Sequence, residues 1–283
     1  MIAPATRPAP VAPAPAPAAI SDVGRHFAAL EARRLEQGLL RTDPAPRDLP
    51  HSARDLEEIF VRVALREEYA LRRNTVQQRE TSAPLRRWTG PVRMGLSFGA
   101  SVPAAMRTAD TAHVRAYAAQ LAQATRHPVS LGAAPNFHIL VLSEDERRAS
   151  APRLRALVPG IDPLAVQIVT QMPLSVSCLV LAFSRTGDNV YTDAIAIIRA
   201  ELPDLSRHAC YHEELAQGLG LSNDSPRARP SLFNDAAEFA VLTNMDKALL
   251  RMLYDPRLRP GMSEAQALPL IRGIASELMG GTS

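Results

Sequence analysis

The hydrophobic positions follow two periods along the chain. Leu56, Ile59, Phe60 and Val63 recur at i, i+3, i+4 and i+7, which predicts an amphipathic helix from about Ser52 to Arg73. A shorter helix is expected over 20–40, with Ser21 placed to cap it and Val23, Phe27 and Leu30 on one face. Val92, Met94, Leu96 and Phe98 alternate with Arg93, Gly95 and Ser97, the period of a strand half buried in a sheet. Val114, Tyr117, Ala118 and Leu121 return to helical spacing. Phe137 to Leu142 is apolar except for His138 and suits an interior strand. Val176–Phe183 and Val190–Ile198 flank Arg185-Thr186-Gly187-Asp188-Asn189, a turn sequence, so the two runs should form a hairpin.

From Leu205 to about Leu219 the chain reads as helix, with Gly220 where a left-handed residue closes a helix. Thr243 is positioned to cap a helix carrying Leu249, Met252 and Leu253, which must end before Pro256. Ser263 and Gln266 make a capping box that opens a final helix to Met279, closed by Gly280 and Gly281. The expected class is α+β, a mixed sheet with helices followed by a mostly helical C-terminal part.

Composition changes this picture mainly at the N-terminus. Of 283 residues, 46% are hydrophobic and 22% charged, enough for a large core and against a disordered chain or a small disulfide scaffold. Residues 1–19 alternate Pro and Ala, which favours extended polyproline II and buries nothing. The expected organisation is therefore a Pro/Ala-rich tether with a short helix over 1–50 and a single domain over 51–283. The first residues lack the basic and continuous apolar stretches of a signal peptide, so the chain is expected to be cytoplasmic or to start at the linker of an exported protein. The 32 basic residues exceed the 29 acidic ones by only three, and no block of like charge occurs. Nucleic acid is not an expected partner. No run approaches the roughly 18 consecutive apolar residues of a membrane helix.

Candidate chemistry concentrates between Cys210 and Asp224. On a helix, Leu205, His208, His212, Leu215 and Leu219 share one largely apolar face that should point into the core. Glu213 and Gln217 lie four apart on another face with Glu214 beside them, so two acids and an amide either line a cleft or form an ordinary solvated surface. His208 and His212 are also at i, i+4, which is metal spacing, but the leucines around them favour core histidines. Downstream, Asn234 and Asp235 either complete an oxygen-rich site or cap turns. Arg227 with Arg229 and Arg257 with Arg259 either hold an anion or are surface charge. No phosphate-binding glycine loop, GxSxG elbow or CxxC pair is present.

The run Glu213-Glu214-x-x-Gln217-x-x-Gly220 resembles the metal-binding helix of the metzincin branch of the zincin metallopeptidases, HExxHxxGxx(H/D). Anchored on Gly220, that resemblance puts a ligand at Glu213, the general base at Glu214, a second ligand at Gln217 and a third at Asn223 or Asp224. It departs from the pattern at every histidine. Carboxylate and amide oxygens are harder ligands, better matched to Mg, Ca or Mn than to zinc. Met245 and Met262 correspond to the methionine turn under such a site or simply fill the core.

The wider chain over about 85–279 is similar to a bacterial domain of unknown function, usually exported and grouped with zincin-like peptidases. Ser231-Leu232-Phe233-Asn234-Asp235 and Tyr254-Asp255-Pro256-Arg257-Leu258-Arg259-Pro260-Gly261-Met262 carry that similarity. It implies a zincin-like fold. The expected function is a peptidase-like hydrolase of the bacterial envelope, periplasmic or extracellular, acting on a peptide or envelope component with a divalent metal as cofactor. The alternative is a catalytically inactive binding protein on the same fold. The only two cysteines, Cys178 and Cys210, fall on neighbouring elements and suit a disulfide closing about 32 residues, contributing about 3–4 kcal/mol in the chain-entropy model. Two buried free thiols are the alternative.

Overall fold

The computed structural model describes residues 20–72, 75–185 and 187–280. The tether expected over 1–19 lies outside the described residues, as do Thr186 of the hairpin turn and Gly281. Helix α1 spans Asp22–Glu36 and starts at Ser21, whose side chain accepts from the Gly24 amide. Helix α2, Ala53–Ala64, opens with a reciprocal capping box between Ser52 and Asp55. It is shorter than expected. The apolar stripe ends at Ala64 and Leu65, and the chain then forms an antiparallel hairpin, β1 (Arg66–Arg72) with β2 (Thr75–Ser82). Thr75, Val76 and Thr81 are β-branched residue types that favour extended backbone.

The main sheet is built from β3 (Val92–Phe98), β4 (Val129–Leu131), β5 (Phe137–Leu142), β6 (Cys178–Phe183) and β7 (Asp193–Arg199), in the order β4-β3-β5-β7-β6. The first four neighbours run parallel, and β6 pairs antiparallel with β7 from Cys178↔Ile198 to Phe183↔Asp193, the hairpin expected from sequence. Strand β5 is interior and fully buried. Its residues alternate between two cores: Ile139 and Val141 join the larger one, Leu140 and Leu142 the smaller. Strand β7 does the same with Ala194, Ala196 and Ile198 against Ile195 and Ile197. A parallel sheet covered on both faces explains why these strands read as unbroken apolar runs.

Helix α3 (Ala104–Thr125) buries Val114, Tyr117, Ala118 and Leu121 as the spacing required. Three short helices that periodicity did not reveal cover the other sheet face: α4 (Glu144–Arg148), α5 (Ala151–Leu157) and α6 (Pro163–Thr170). Helix α7 (Asp204–Gln217) lies against β6 and β7, and α8 (Asn244–Leu253) and α9 (Glu264–Gly280) complete the larger core. The Thr243–Asp246 and Ser263–Gln266 caps form as expected. The class is α+β. No helix among the described residues is long and apolar enough to cross a membrane.

Candidate active site

Helix α7 is held at both ends by distant parts of the chain. Pro203, at the cap position before the helix, provides no side-chain cap, and Glu31 of α1 substitutes by accepting from the Ser206 amide (2.9 Å) and hydroxyl (2.7 Å). Residues 20–50 thus contribute directly to the helix, and Phe27 of the same α1 is buried in the larger core. At the other end Trp88 Nε1 donates to the Gly218 carbonyl (2.8 Å) and the Tyr254 hydroxyl to the Leu219 carbonyl (3.0 Å). Gly220 follows at φ +129°, where a Cβ would lie 2.3 Å from the Arg86 carbonyl oxygen. Only glycine fits there. Arg87 donates to the carbonyls of Leu253 and Leu258, tying the Tyr254–Met262 segment to the same corner.

The inner face of α7 is structural. Asp110, fully buried on α3, accepts from Arg207 Nε (2.8 Å) and from the Tyr211 hydroxyl (2.8 Å). His212 is buried, stacks on Tyr117 with ring centroids 4.0 Å apart, and accepts from the Leu242 amide at Nδ1 (3.0 Å). His208 stacks on His113 at 3.9 Å. Both histidines of the i, i+4 pair therefore serve packing between α3 and α7, and burial drives His212 down to about 3.

The opposite face carries Glu213, Glu214 and Gln217, and it lines a cavity of about 620 Å³. The edge strand β6 forms one wall with Cys178, Leu179, Val180 and Leu181; Leu40, Ile168 and Phe239 add further apolar surface. Cys178 and Cys210 are joined by a disulfide, Cα atoms 5.9 Å apart, that ties this wall to α7. The free-thiol alternative is thereby excluded. Glu214 is only 4% exposed, so it does not belong to a solvated helix face. Neither Glu213 nor Glu214 has a side-chain hydrogen bond among the described residues.

Asp224 and Asp235 also border the cavity, so four carboxyl groups converge on it. Burial, together with Asp224, pushes Glu213 up to about 8; Arg34 partly opposes this. Burial and the charges of Glu213 and Asp224 raise Glu214 well above the usual carboxylate range. Arg34, on α1, was not legible as a site residue because nothing in the sequence brings it to α7.

The two candidates for the third position separate. Asp224 accepts from Gln217 Nε2 (2.7 Å) and faces the cavity, while Asn223 Nδ2 donates to the Arg62 carbonyl (3.0 Å) and anchors the loop to α2. Asn234 caps a turn through the Ala236 amide and donates to Pro226 and Ala228 carbonyls while lying at the cavity edge. Arg229 pairs with Glu238, and Arg257 with Asp255 and Glu277. Met245 is a fully buried core residue, and Met262 accepts the Arg259 amide at its sulfur (3.4 Å).

No curated protein and no solved structure gives a match to the chain. The family described as a protein of unknown function, DUF2927, matches residues 53–273, a span that contains α7, the disulfide and the Tyr254–Met262 segment, and the chain belongs to that family.

Proposed function

We propose that this protein is a zincin-like hydrolase that cleaves an extended peptide or envelope component in the periplasm or outside the cell. The observation that carries the reading is Glu214, 4% exposed, without a hydrogen-bonding partner among the described residues, and lining a cavity whose wall is a sheet edge. Strand β6 pairs only with β7 among the described strands, so an extended chain can add to its other side through main-chain hydrogen bonds. Leu179, Leu181, Ile168 and Phe239 favour apolar side chains on that substrate. The disulfide supports an oxidising compartment.

In this scheme Glu214 takes a proton from an attacking water and returns it to the leaving group. Gln217 holds Asp224 in place through its 2.7 Å hydrogen bond. The donor set is all oxygen, so it does not suit the zinc of the histidine-bearing metzincin pattern; Glu213 and Asp224 would hold a harder cation such as Mg, Ca or Mn beside Glu214. Such a cation, when bound, would offset the crowded negative charge and polarise a water. Without compensation, the raised pKa of Glu214 keeps it protonated and unable to act as a base.

The test is hydrolysis of an extended apolar peptide library by the full chain with each of these cations added. Cleavage is expected, and Glu214→Gln is expected to reduce it by about 10²–10⁴-fold with the fold retained. Absence of cleavage under every condition, or an unchanged rate in the variant, would refute the reading. A non-catalytic binding protein is the second reading, favoured by Asn223 being turned away to α2 and Gln217 being engaged with Asp224. It predicts peptide binding that persists in Glu214→Gln with no turnover in either protein.

A further inference from the structure

The disulfide occupies the same floor as the acid pair. Cys178 Sγ and one carboxylate oxygen from each of Glu213 and Glu214 all lie within 4.8 Å of one another. Cys210 Sγ, bonded to Cys178 Sγ, stands next to this group of three, and Cys210 precedes Glu214 by one helical turn of α7. Among the described residues no other trio of His, Cys, Asp or Glu ligands comes so close.

We propose that reduction of the Cys178–Cys210 disulfide turns this floor into a site for a thiophilic divalent cation, zinc above all, held by the two thiolates with Glu213 and Glu214. The argument stands on ligand chemistry. Disulfide sulfurs are neutral and weak ligands, whereas thiolates are among the strongest for zinc and combine with carboxylate oxygen in tetrahedral sites. Bonds of about 2.0–2.3 Å place tetrahedral ligand atoms roughly 3.3–3.8 Å apart. Side-chain shifts of about an ångström bring Cys178, Glu213 and Glu214 from their present spacing to that geometry, and rotation of the freed Cys210 side chain supplies the fourth ligand. A second observation points to a missing ligand independently of the cysteines: Glu214 is 4% exposed, faces the cavity, and has no hydrogen-bonding partner among the described residues. Arg34, which faces Glu213, offsets part of the excess negative charge.

The redox step balances with a dithiol as reductant. The dithiol gives two electrons and two protons, closes to its own disulfide, and leaves Cys178 and Cys210 as thiols. The incoming cation displaces both thiol protons to solvent. The site shares a cavity with the proposed hydrolase but does not depend on turnover, so its test reads binding alone.

The full chain is reduced with a phosphine, freed of it without air, and titrated with Zn²⁺ and separately with Co²⁺. One equivalent of zinc should bind, and the cobalt form should show thiolate-to-metal charge transfer and the intense visible bands of a tetrahedral centre. The oxidised chain should give neither signal. Glu213→Gln/Glu214→Gln, which keeps both cysteines, should weaken cobalt binding by about tenfold or more. Zinc should also slow reoxidation of the reduced wild type by glutathione disulfide about tenfold. The proposal is overturned if the reduced chain binds no stoichiometric metal, if its cobalt spectrum lacks the thiolate band, or if the double variant binds undiminished. A reduced chain that unfolds and does not regain its circular dichroism with Co²⁺ overturns it equally.

Discussion

Relative to Glu213→Gln/Glu214→Gln, the conformational stability of the wild type should fall as pH rises from 6.5 to 8. In the folded protein Glu213 holds its proton up to about 8, whereas the ordinary value is 4.5. Between those values the native state binds a proton that the unfolded state has released. The unfolding free energy therefore drops by about 1.4 kcal/mol per pH unit for this one group. The contribution is fully present below 4.5 and is lost as pH rises through 8. The other perturbed acids act at lower pH, the tyrosines at higher pH, and the histidines mainly from 6.5 downward. Burial lowers His113 to about 4 and His212 to about 3, so the stability they contribute is present above 6.5 and lost as pH falls through those values. Asp246 is raised to about 6 by burial, and its effect is largely complete by 6.5. Asp110, Glu144 and Glu146, held near 2 by their hydrogen bonds and ion pairs against the cost of burial, matter only in acid.

His51, His113, His127, His138 and His212, all lowered by burial, still add stability of the opposite sign from pH 6.5 upward as the unfolded chain releases the rest of their protons, so the acid pair is read from the difference between wild type and double variant. Glu213 supplies about 2 kcal/mol across the window, or about 1 kcal/mol after allowing for its partly open position, and Glu214 adds to the fall with the same sign. Urea unfolding in non-reducing buffer at several pH values across the window gives the slope directly. A double variant that retains the wild-type slope would refute the assignment of a crowded, protonated acid pair.

Two further perturbations address the frame around the site. Arg207→Met strands the carboxylate of Asp110, which is fully buried, and should cost about 3–5 kcal/mol in urea unfolding; a loss below about 1 kcal/mol would mean that Tyr211 alone satisfies it. Gly220→Ala drives a Cβ to 2.3 Å from the Arg86 carbonyl at a φ of +129° and should cost at least about 2 kcal/mol, with a lowered thermal midpoint as the readout.

Much of the framework is local enough to read from residues. The caps at Ser21, Thr243 and Ser263 depend on groups one turn away, and all three form. Strands β3, β5, β6 and β7 and the buried face of α3 follow from period and apolarity. What failed did so for identifiable reasons. The helix expected to reach Arg73 stops at Ala64, because β1–β2 pairing satisfies the backbone once the apolar stripe ends. The three-residue β4 and helices α4 to α6 are too short for a period to emerge.

At the site, helical spacing placed Glu213, Glu214 and Gln217 together on one face and His208 with His212 on another, because an α-helix fixes relative direction over a few residues. Spacing could not choose between Asn223 and Asp224. That choice depends on Arg62 of α2, whose carbonyl takes Asn223, and on Gln217, which holds Asp224 at the cavity. Nor could sequence deliver Arg34, Ile168 and Phe239 to the same cavity, since those positions are set by how α1, α6 and the 223–239 loop pack on the sheet edge. The sequence alone determined the elements, the pair of cysteines and the face that carries the acids. Tertiary structure decided that this face packs against the edge strand β6, and burial beside other carboxyls is what raises the proton affinity of two ordinary glutamates.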